Sequence, residues 1–379
     1  IGPTLGGFVT DTLSWHWVFY INIPLGVLII LLFVLFFPHV RPDRLEHKID
    51  YLGVALLVLA TVPTLLALSW GGVEYPWTSA IIIGMFVFSA IMALLFVIVD
   101  SRSPEPIIPL WLFKNRVFAV SIPIIFLTGI AMFGTIIFIP LFFQGVLGLS
   151  ATTSGNFLMP MMLGMVAGSF ISGQALSRAG GHYRVQGFIG LAIMALGIGL
   201  LSTMTFETSY FLAIFNMVMT GIGLGITMPL YTIAVQNAVP YNVMGVATSA
   251  TAFFRSIGGC LGLAIFGSVL TNRFASDFIA SVPAMAKSVI PNELLVSLAR
   301  NPQALVSPQA QAQLKAMLAS LGEQGQALFE QLIQALRLTL NSALSEVFFI
   351  GLLVLVIALI INFFIKEIPL RKQHYFEEE

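Results

Sequence analysis

Residues 79–99 read SAIIIGMFVFSAIMALLFVIV, an apolar run without a charged side chain. At about 1.5 Å per residue, a helix of this length crosses about 30 Å, the thickness of the hydrocarbon core of a bilayer. Comparable runs occupy 18–38, 51–71, 118–143, 155–176, 185–204, 210–235, 247–270 and 344–365. Residues 1–12 have the composition of the end of a further run. The sequence therefore predicts about nine complete membrane spans and part of a tenth.

These spans are predicted to be α-helices. A backbone surrounded by lipid must satisfy its own hydrogen bonds, and the runs lack the ten-residue alternation of a membrane β-barrel. The composition agrees, because 58% of the residues are hydrophobic and only 9% are charged, whereas soluble domains are about 25% charged. We therefore expect an all-α polytopic membrane protein.

The composition also argues against several functions. Lys plus Arg (17) equals Asp plus Glu (17), so there is no basic excess of the kind that nucleic-acid binding requires. The single cysteine, Cys260, excludes a disulfide framework and a cysteine metal site. The five histidines lie in loops or at the ends of runs, and no acid pair lies within a span. An intramembrane enzyme is disfavoured for that reason, and we expect no metal and no cofactor.

The loops alternate in charge. Lys and Arg occur in 39–50, 100–116, 177–184 and the C-terminal tail, but not in 72–78, 144–154 or 205–209. By the positive-inside rule the first set, and with it the C-terminus, is cytoplasmic. The remaining outer connection, 271–343, is long and rich in Ala, Gln and Leu. We predict an amphipathic helical hairpin there, which acts as a structural cap or as a gate or partner dock.

Several short motifs carry a resemblance. The sequence reads GPTLGG at 2–7 and WHWVFYINIPLG at 15–26. These stretches resemble the antiporter motif and its continuation in the fourteen-helix drug/proton antiporter branch (the EmrB/QacA type) of the major facilitator superfamily. IDYLG at 49–53, FIPLFFQ at 138–144 and RSIGG at 255–259 are similar to further blocks of that branch.

The resemblance implies a domain organisation. Residues 1–38 would be the end of an N-terminal six-helix bundle, with part of the fifth helix and all of the sixth. Residues 39–116 would hold an inserted pair of helices, and 117–379 the C-terminal six-helix bundle with the outer loop 271–343. The chain would then lack the first four helices of a major facilitator fold.

The resemblance also implies functional residues in two motifs. Gly2, Pro3, Gly6 and Gly7 match the antiporter motif, which would seal the route between bundles and favour exchange over leak. The stretch with Gly173, Arg178, Gly181 and Arg184 resembles the superfamily's cytoplasmic gating motif. Ser177 stands where that motif has an Asp, so only the tight turn and the basic anchoring are expected to remain.

The transport cavity is predicted from polar, methionine and charged residues on apolar helices. The candidates are Gln144, Asn156, Met165, Asn216, Tyr231 and Arg255, and Gln174 and Gln236 are further polar residues on the same helices. Flexible Met and flat aromatic faces suit bulky, apolar or cationic guests. Arg255 is the one basic residue well inside a predicted span. It either reaches a cytoplasmic-side carbonyl or headgroup, pairs with an acid of the missing helices, or borders the cavity.

The leading hypothesis is proton-coupled efflux of hydrophobic or cationic drugs by alternating access. The family implies that the main proton-binding carboxylate lies in the missing first helix, since 155–176 contains no acid. Location in a bacterial inner membrane, partnership with lipid and protons, and inactivity of the fragment alone are further expectations, and a periplasmic adaptor protein is left open. The alternatives are export of a lipid, glycolipid or siderophore and, if the protein truly begins at Ile1, a non-transporting membrane scaffold.

Overall fold

The fold is known from a computed structural model. It describes residues 12–37, 50–72, 74–103, 106–179, 181–283, 308–319 and 322–369, and isolated positions between them, including Gly6, Phe8 and Val9. The helices are α1 Trp17–Tyr20, α2 Asn22–Phe36, α3 Tyr51–Trp70, α4 Ala80–Asp100, α5 Arg116–Leu141, α6 Ala151–Ala179, α7 Tyr183–Ser202, α8 Tyr210–Ala238, α9 Met244–Ser281, α10 Pro308–Ala319 and α11 Glu323–Asn362. A π-helical turn, Phe142–Val146, follows α5.

The described part of the chain contains nine helices long and apolar enough to cross a membrane. The first comprises α1 and α2 together, and the others are α3 to α9 and α11, several with short extensions. The prediction of an all-α membrane protein with nine complete spans is therefore confirmed. The predicted part of a tenth lies almost wholly outside the described residues.

The outer connection 271–343 differs from the predicted separate hairpin. The helix α9 continues to Ser281 and α11 already begins at Glu323, so both ends of this stretch prolong membrane helices. These helices extend because each carries an apolar stripe at four-residue spacing that continues past the length needed to cross a bilayer core. On α9 the buried members are Leu270, Phe274 and Phe278, and on α11 they are Leu328, Leu332, Leu336 and Leu340. The helix α10 packs on α11, and the prediction that 271–343 acts as a cap, a gate or a partner dock stays a prediction.

The bundle contains two closely packed helix pairs, α6 with α8 and α5 with α9. The helix α7 packs on α8, and α11 contacts α5, α7 and α9, so these two helices connect the pairs. Helices α3 and α4 pack on each other, and α3 touches α9. No residue of α2 is buried. The predicted boundaries after residues 38 and 116 stay predictions.

Hydrogen bonds place the helix ends. Asn115 caps α5 by accepting from the Val117 N–H at 2.9 Å, and its Nδ2 donates to the Ala238 carbonyl at the end of α8 at 2.8 Å. Asn362 Nδ2, at the end of α11, donates to the Arg184 carbonyl in the first turn of α7 at 2.9 Å. The starts of α5 and α7 therefore lie at one end of the bundle with the ends of α8 and α11. The positive-inside prediction makes this the predicted cytoplasmic end.

Glycines set the spacing of α6 and α8. A Cβ added at Gly164 would lie 2.6 Å from the Val218 carbonyl oxygen. On α8, a Cβ added at Gly221 would meet the backbone of Met161 on α6, and a Cβ added at Gly225 would meet the backbone of Met165. Small residues on both helices thus allow direct backbone contact, as is typical of membrane helix pairs.

A proline in α8 frees a polar group in the same contact. Pro229 lacks the N–H that would bond the Gly225 carbonyl. Ser169 Oγ of α6 donates to that carbonyl at 2.9 Å instead. The helix pair therefore satisfies a backbone group that the proline leaves open.

Candidate functional site

A charged side chain lies in the contact between α8 and α9. The Arg255 guanidinium Nη2 donates to the Met228 carbonyl at 3.3 Å and to Thr232 Oγ1 at 3.3 Å. Arg255 is half-buried. It lies about 16 Å along α9 from the first residue of the helix, within a helix long and apolar enough to cross a membrane. A charge within a membrane span is costly and normally faces the protein interior, which is where this side chain lies.

A second polar pair continues the contact toward the predicted cytoplasmic end. Gln236 Nε2 of α8 donates to Thr248 Oγ1 of α9 at 3.0 Å. Thr232 and Gln236 are four residues apart on α8, and Thr248 and Arg255 are seven apart on α9, so each pair shares one helix face. We call Thr232, Gln236, Thr248 and Arg255 the polar seam.

The contact of α9 with α5 sets the direction of Arg255. A Cβ at Gly129 would lie 2.5 Å from the Arg255 carbonyl oxygen, and a Cβ at Gly262 would lie 2.7 Å from the Ile130 carbonyl oxygen. This close backbone approach fixes the rotation of α9. The side chain of Arg255 then reaches α8, whose contact with α9 is sparse. All four seam residues are half-buried.

Two predicted cavity residues lie elsewhere. Tyr231 is fully buried and its hydroxyl donates to Asn362 Oδ1 at 2.9 Å, so it joins α8 to α11. Asn216 is 1% exposed, and its Nδ2 donates to the Leu200 carbonyl of α7 at 3.3 Å. Tyr231 thus bonds to α11 and Asn216 to α7, so neither hydrogen bond is part of the contact around Arg255. Whether these residues line a transport cavity stays a prediction.

The other three are also apart from the seam. Gln144 is half-buried in the π-helical turn after α5. Asn156 is exposed near the start of α6. Met165 is half-buried, and its backbone faces Gly225 across the α6–α8 contact. Of the six predicted cavity residues, Arg255 alone belongs to the seam.

The structure adds Thr232 and Thr248, which sequence reasoning missed. Threonine in an apolar helix gives a weak signal because it commonly bonds its own backbone, as Thr248 Oγ1 does with the Met244 carbonyl at 2.7 Å. The usable signal was spacing, since Thr248 precedes Arg255 by two helical turns.

The predicted gating residues surround a tight turn. Gly173 and Arg178 lie in the last turns of α6, and Arg184 lies in the first turn of α7. Gly181, between the two helices, has φ +101°, a conformation that side chains disfavour. The Arg184 guanidinium carbon lies 5.8 Å from the centroid of the Phe363 ring. Their gating role stays a prediction.

The antiporter motif can be located only in part. Gly2, Pro3 and Gly7 lie outside the described residues, and Gly6 is helical. A Cβ added at Gly6 would meet no described atom within 4 Å. The sealing role of these glycines stays a prediction.

Apolar helices of membrane-crossing length, with a charged side chain held by polar groups of a neighbouring helix, are typical of polytopic transport proteins. Residues 51–263 match the family described as Major Facilitator Superfamily. The chain is also 36% identical to the multidrug transporter protein MdtP of Bacillus subtilis over 98% of this chain and 68% of that protein. The chain therefore belongs to the Major Facilitator Superfamily.

Further relatives are named for efflux. The chain is 40% identical to multidrug resistance protein 3 of Bacillus subtilis, over 73% of this chain and 53% of that protein. It is 32% identical to the MFS-type efflux pump MFS1 of Arthroderma benhamiae, over 76% of this chain and 55% of that protein. The chain thus spans about half to two thirds of the length of these relatives. The family and these names point to a membrane transporter of small molecules rather than an enzyme.

Proposed function

We propose that the protein exports hydrophobic or cationic drugs in exchange for protons, by alternating access in a bacterial inner membrane. The names of the relatives support drug efflux, and the apolar bundle with half-buried polar groups suits guests that are themselves largely apolar. The sequence resemblance to the drug/proton antiporter branch supports proton coupling. A periplasmic adaptor protein would be a partner of the assembled exporter.

The observation that carries the proposal is the environment of Arg255. Its described hydrogen-bond partners are a carbonyl and a hydroxyl. Among the residues that the structure describes, no carboxylate lies within 4 Å of its guanidinium. A cation that lies within a membrane span and is held only by neutral groups is electrostatically unbalanced. In the proposal, Arg255 borders the transport cavity and balances a carboxylate that releases its proton during the cycle.

The test is dye export by the full-length protein with Arg255 replaced. We expect Arg255→Ala to lower ethidium export from cells at least tenfold at equal expression, and Arg255→Lys to keep a measurable part. The matched control is Arg273→Ala, which removes a cation from the same helix. Arg273 pairs with Asp277 at 3.1 Å and with Glu346 at 3.3 Å, and its side chain is 49% exposed. We expect the control to export at the wild-type rate.

Normal export by Arg255→Ala would refute the role of the seam.

A competition experiment separates drug export from export of a lipid, glycolipid or siderophore. In vesicles that contain the wild-type protein, we expect drugs to slow ethidium transport and a short-chain fluorescent phospholipid to leave it unchanged. Strong competition by the phospholipid would favour a lipid cargo.

A further inference from the structure

A cavity of about 660 Å³ opens at the predicted cytoplasmic end, between the starts of α5 and α7 and the segment that follows α11. Its volume lies in the range of small-molecule sites, about 300–1,000 Å³. The charged side chains that line it are Arg116, Arg184, Lys366 and Glu367. Three cations thus face one carboxylate.

Two of the cations are held in place without being neutralised. Arg116 Nε donates to the Phe364 carbonyl at 3.0 Å, and Arg184 lies over the Phe363 ring. A guanidinium has five N–H donors, so each arginine keeps donors for a ligand. In the described part of the chain, no carboxylate lies within 4 Å of Arg116, Arg184 or Lys366. The cavity therefore has a fixed positive charge that an anion would satisfy.

A second part of the cavity wall is apolar, and among the described residues nothing covers it fully. Val185, Phe188 and Phe363 line it and are 55%, 42% and 50% exposed. Phe188 and Phe363 contact each other, with ring centroids 5.5 Å apart. Side chains of this kind one helical turn from a membrane-helix end lie against lipid chains rather than water. A free anion would bind the cations without contacting this apolar wall. A molecule with a phosphate and acyl chains would contact both the cations and the apolar wall.

We propose that this cavity binds an anionic phospholipid of the cytoplasmic leaflet. The phosphate lies among Arg116, Arg184 and Lys366, and the acyl chains run along Val185, Phe188 and Phe363. Basic pockets between membrane helices on the cytoplasmic side recognise anionic headgroups in this manner. The bound lipid connects the start of α5, the start of α7 and the segment after α11, and so stabilises this end of the bundle.

The test is native mass spectrometry of the full-length protein, released from detergent and titrated with phosphatidylglycerol or with phosphatidylcholine of the same chain length. We expect the wild type to bind phosphatidylglycerol at least fivefold more tightly. The variant Arg184→Gln/Lys366→Gln should lose that preference, and Arg184→Lys/Lys366→Arg should keep it. All of these side chains are exposed, so the variants should remain monodisperse in size-exclusion chromatography.

The control is Arg102→Gln/Lys114→Gln, which removes two exposed cations from the same predicted face without touching the cavity. It should keep the preference within twofold. Equal loss in this control would show a diffuse charge effect and overturn the proposal. An unchanged preference in Arg184→Gln/Lys366→Gln would also overturn it. Glycerol phosphate in excess should not displace the lipid, and full displacement would show that the cavity recognises a free phosphate instead.

Discussion

The glycine contact between α6 and α8 gives the sharpest stability prediction. A Cβ at Gly164 would lie 2.6 Å from the Val218 carbonyl oxygen, whereas ordinary contacts begin at 3.4 Å. The obstacle is backbone, so the two helices must separate by about 0.8 Å, and a gap of that size forfeits a quarter to a half of each van der Waals contact along the pair. Overpacking of this kind costs about 1–3 kcal/mol, against which alanine regains about 1 kcal/mol of helix propensity.

We therefore expect Gly164→Ala to change the free energy of unfolding by a net loss of about 0–2 kcal/mol, and to be about 1–3 kcal/mol less stable than an alanine variant that gains the same helix propensity without the clash. The assay is equilibrium unfolding of the purified protein in mixed micelles with increasing dodecyl sulfate, followed by circular dichroism. Gly84→Ala is the matched control, because Gly84 lies within α4 and an added Cβ there meets no described atom within 4 Å. If both variants unfold at the same denaturant fraction, backbone contact between α6 and α8 does not hold the pair together.

Three further predictions use the same assay. Tyr231→Phe removes the buried hydroxyl that donates to Asn362, and the unpaired amide oxygen should cost about 1–3 kcal/mol. Asn115→Ala removes the cap of α5 and its bond to the end of α8, with an expected loss of about 1–2 kcal/mol. Glu346→Gln weakens a solvent-exposed pair with Arg273 and should change stability by less than about 1 kcal/mol.

Each of the three has its own check. Tyr210→Phe alters an exposed tyrosine, and a loss equal to that of Tyr231→Phe would contradict the role of the buried bond. Asn115→Ser keeps a capping oxygen, so it should recover part of the stability that alanine loses. A large loss of stability in Glu346→Gln would mean that the ion pair between Arg273 and Glu346 is shielded from solvent, contrary to its exposure.

The helices were predictable because their length and composition reflect one constraint, the thickness of the bilayer. The run at 79–99 became α4, Ala80–Asp100, with a shift of one residue. The helix ends in 271–343 were not predictable from hydropathy, since their polar residues resemble a loop. These helices extend because Phe274 and Phe278 on α9 and the leucines on α11 form buried stripes. The residues that cover these stripes can be identified only from the three-dimensional structure.

Two residues of the seam, Arg255 and Gln236, could be identified from the sequence, because a charge or an amide within an apolar run stands out. Tyr231 and Asn216 were chosen for the same polarity, but polarity does not tell which side of a helix faces a neighbour. Tyr231 faces Asn362, which is 131 residues away in sequence. Thr232 and Thr248 carry too little polarity to be noticed until α8 and α9 are placed side by side.

Flux in proteoliposomes with an imposed pH gradient tests whether the protein exchanges drugs for protons. The full-length protein is reconstituted with an acidic lumen and a neutral bath, and ethidium is added outside. Because the charge of ethidium does not titrate in this range, trapping by pH alone cannot imitate transport. We expect ethidium to accumulate in the lumen, and we expect collapse of the pH gradient with nigericin to abolish the accumulation. Equal flux with and without the gradient, or equal flux in protein-free vesicles, would contradict this expectation.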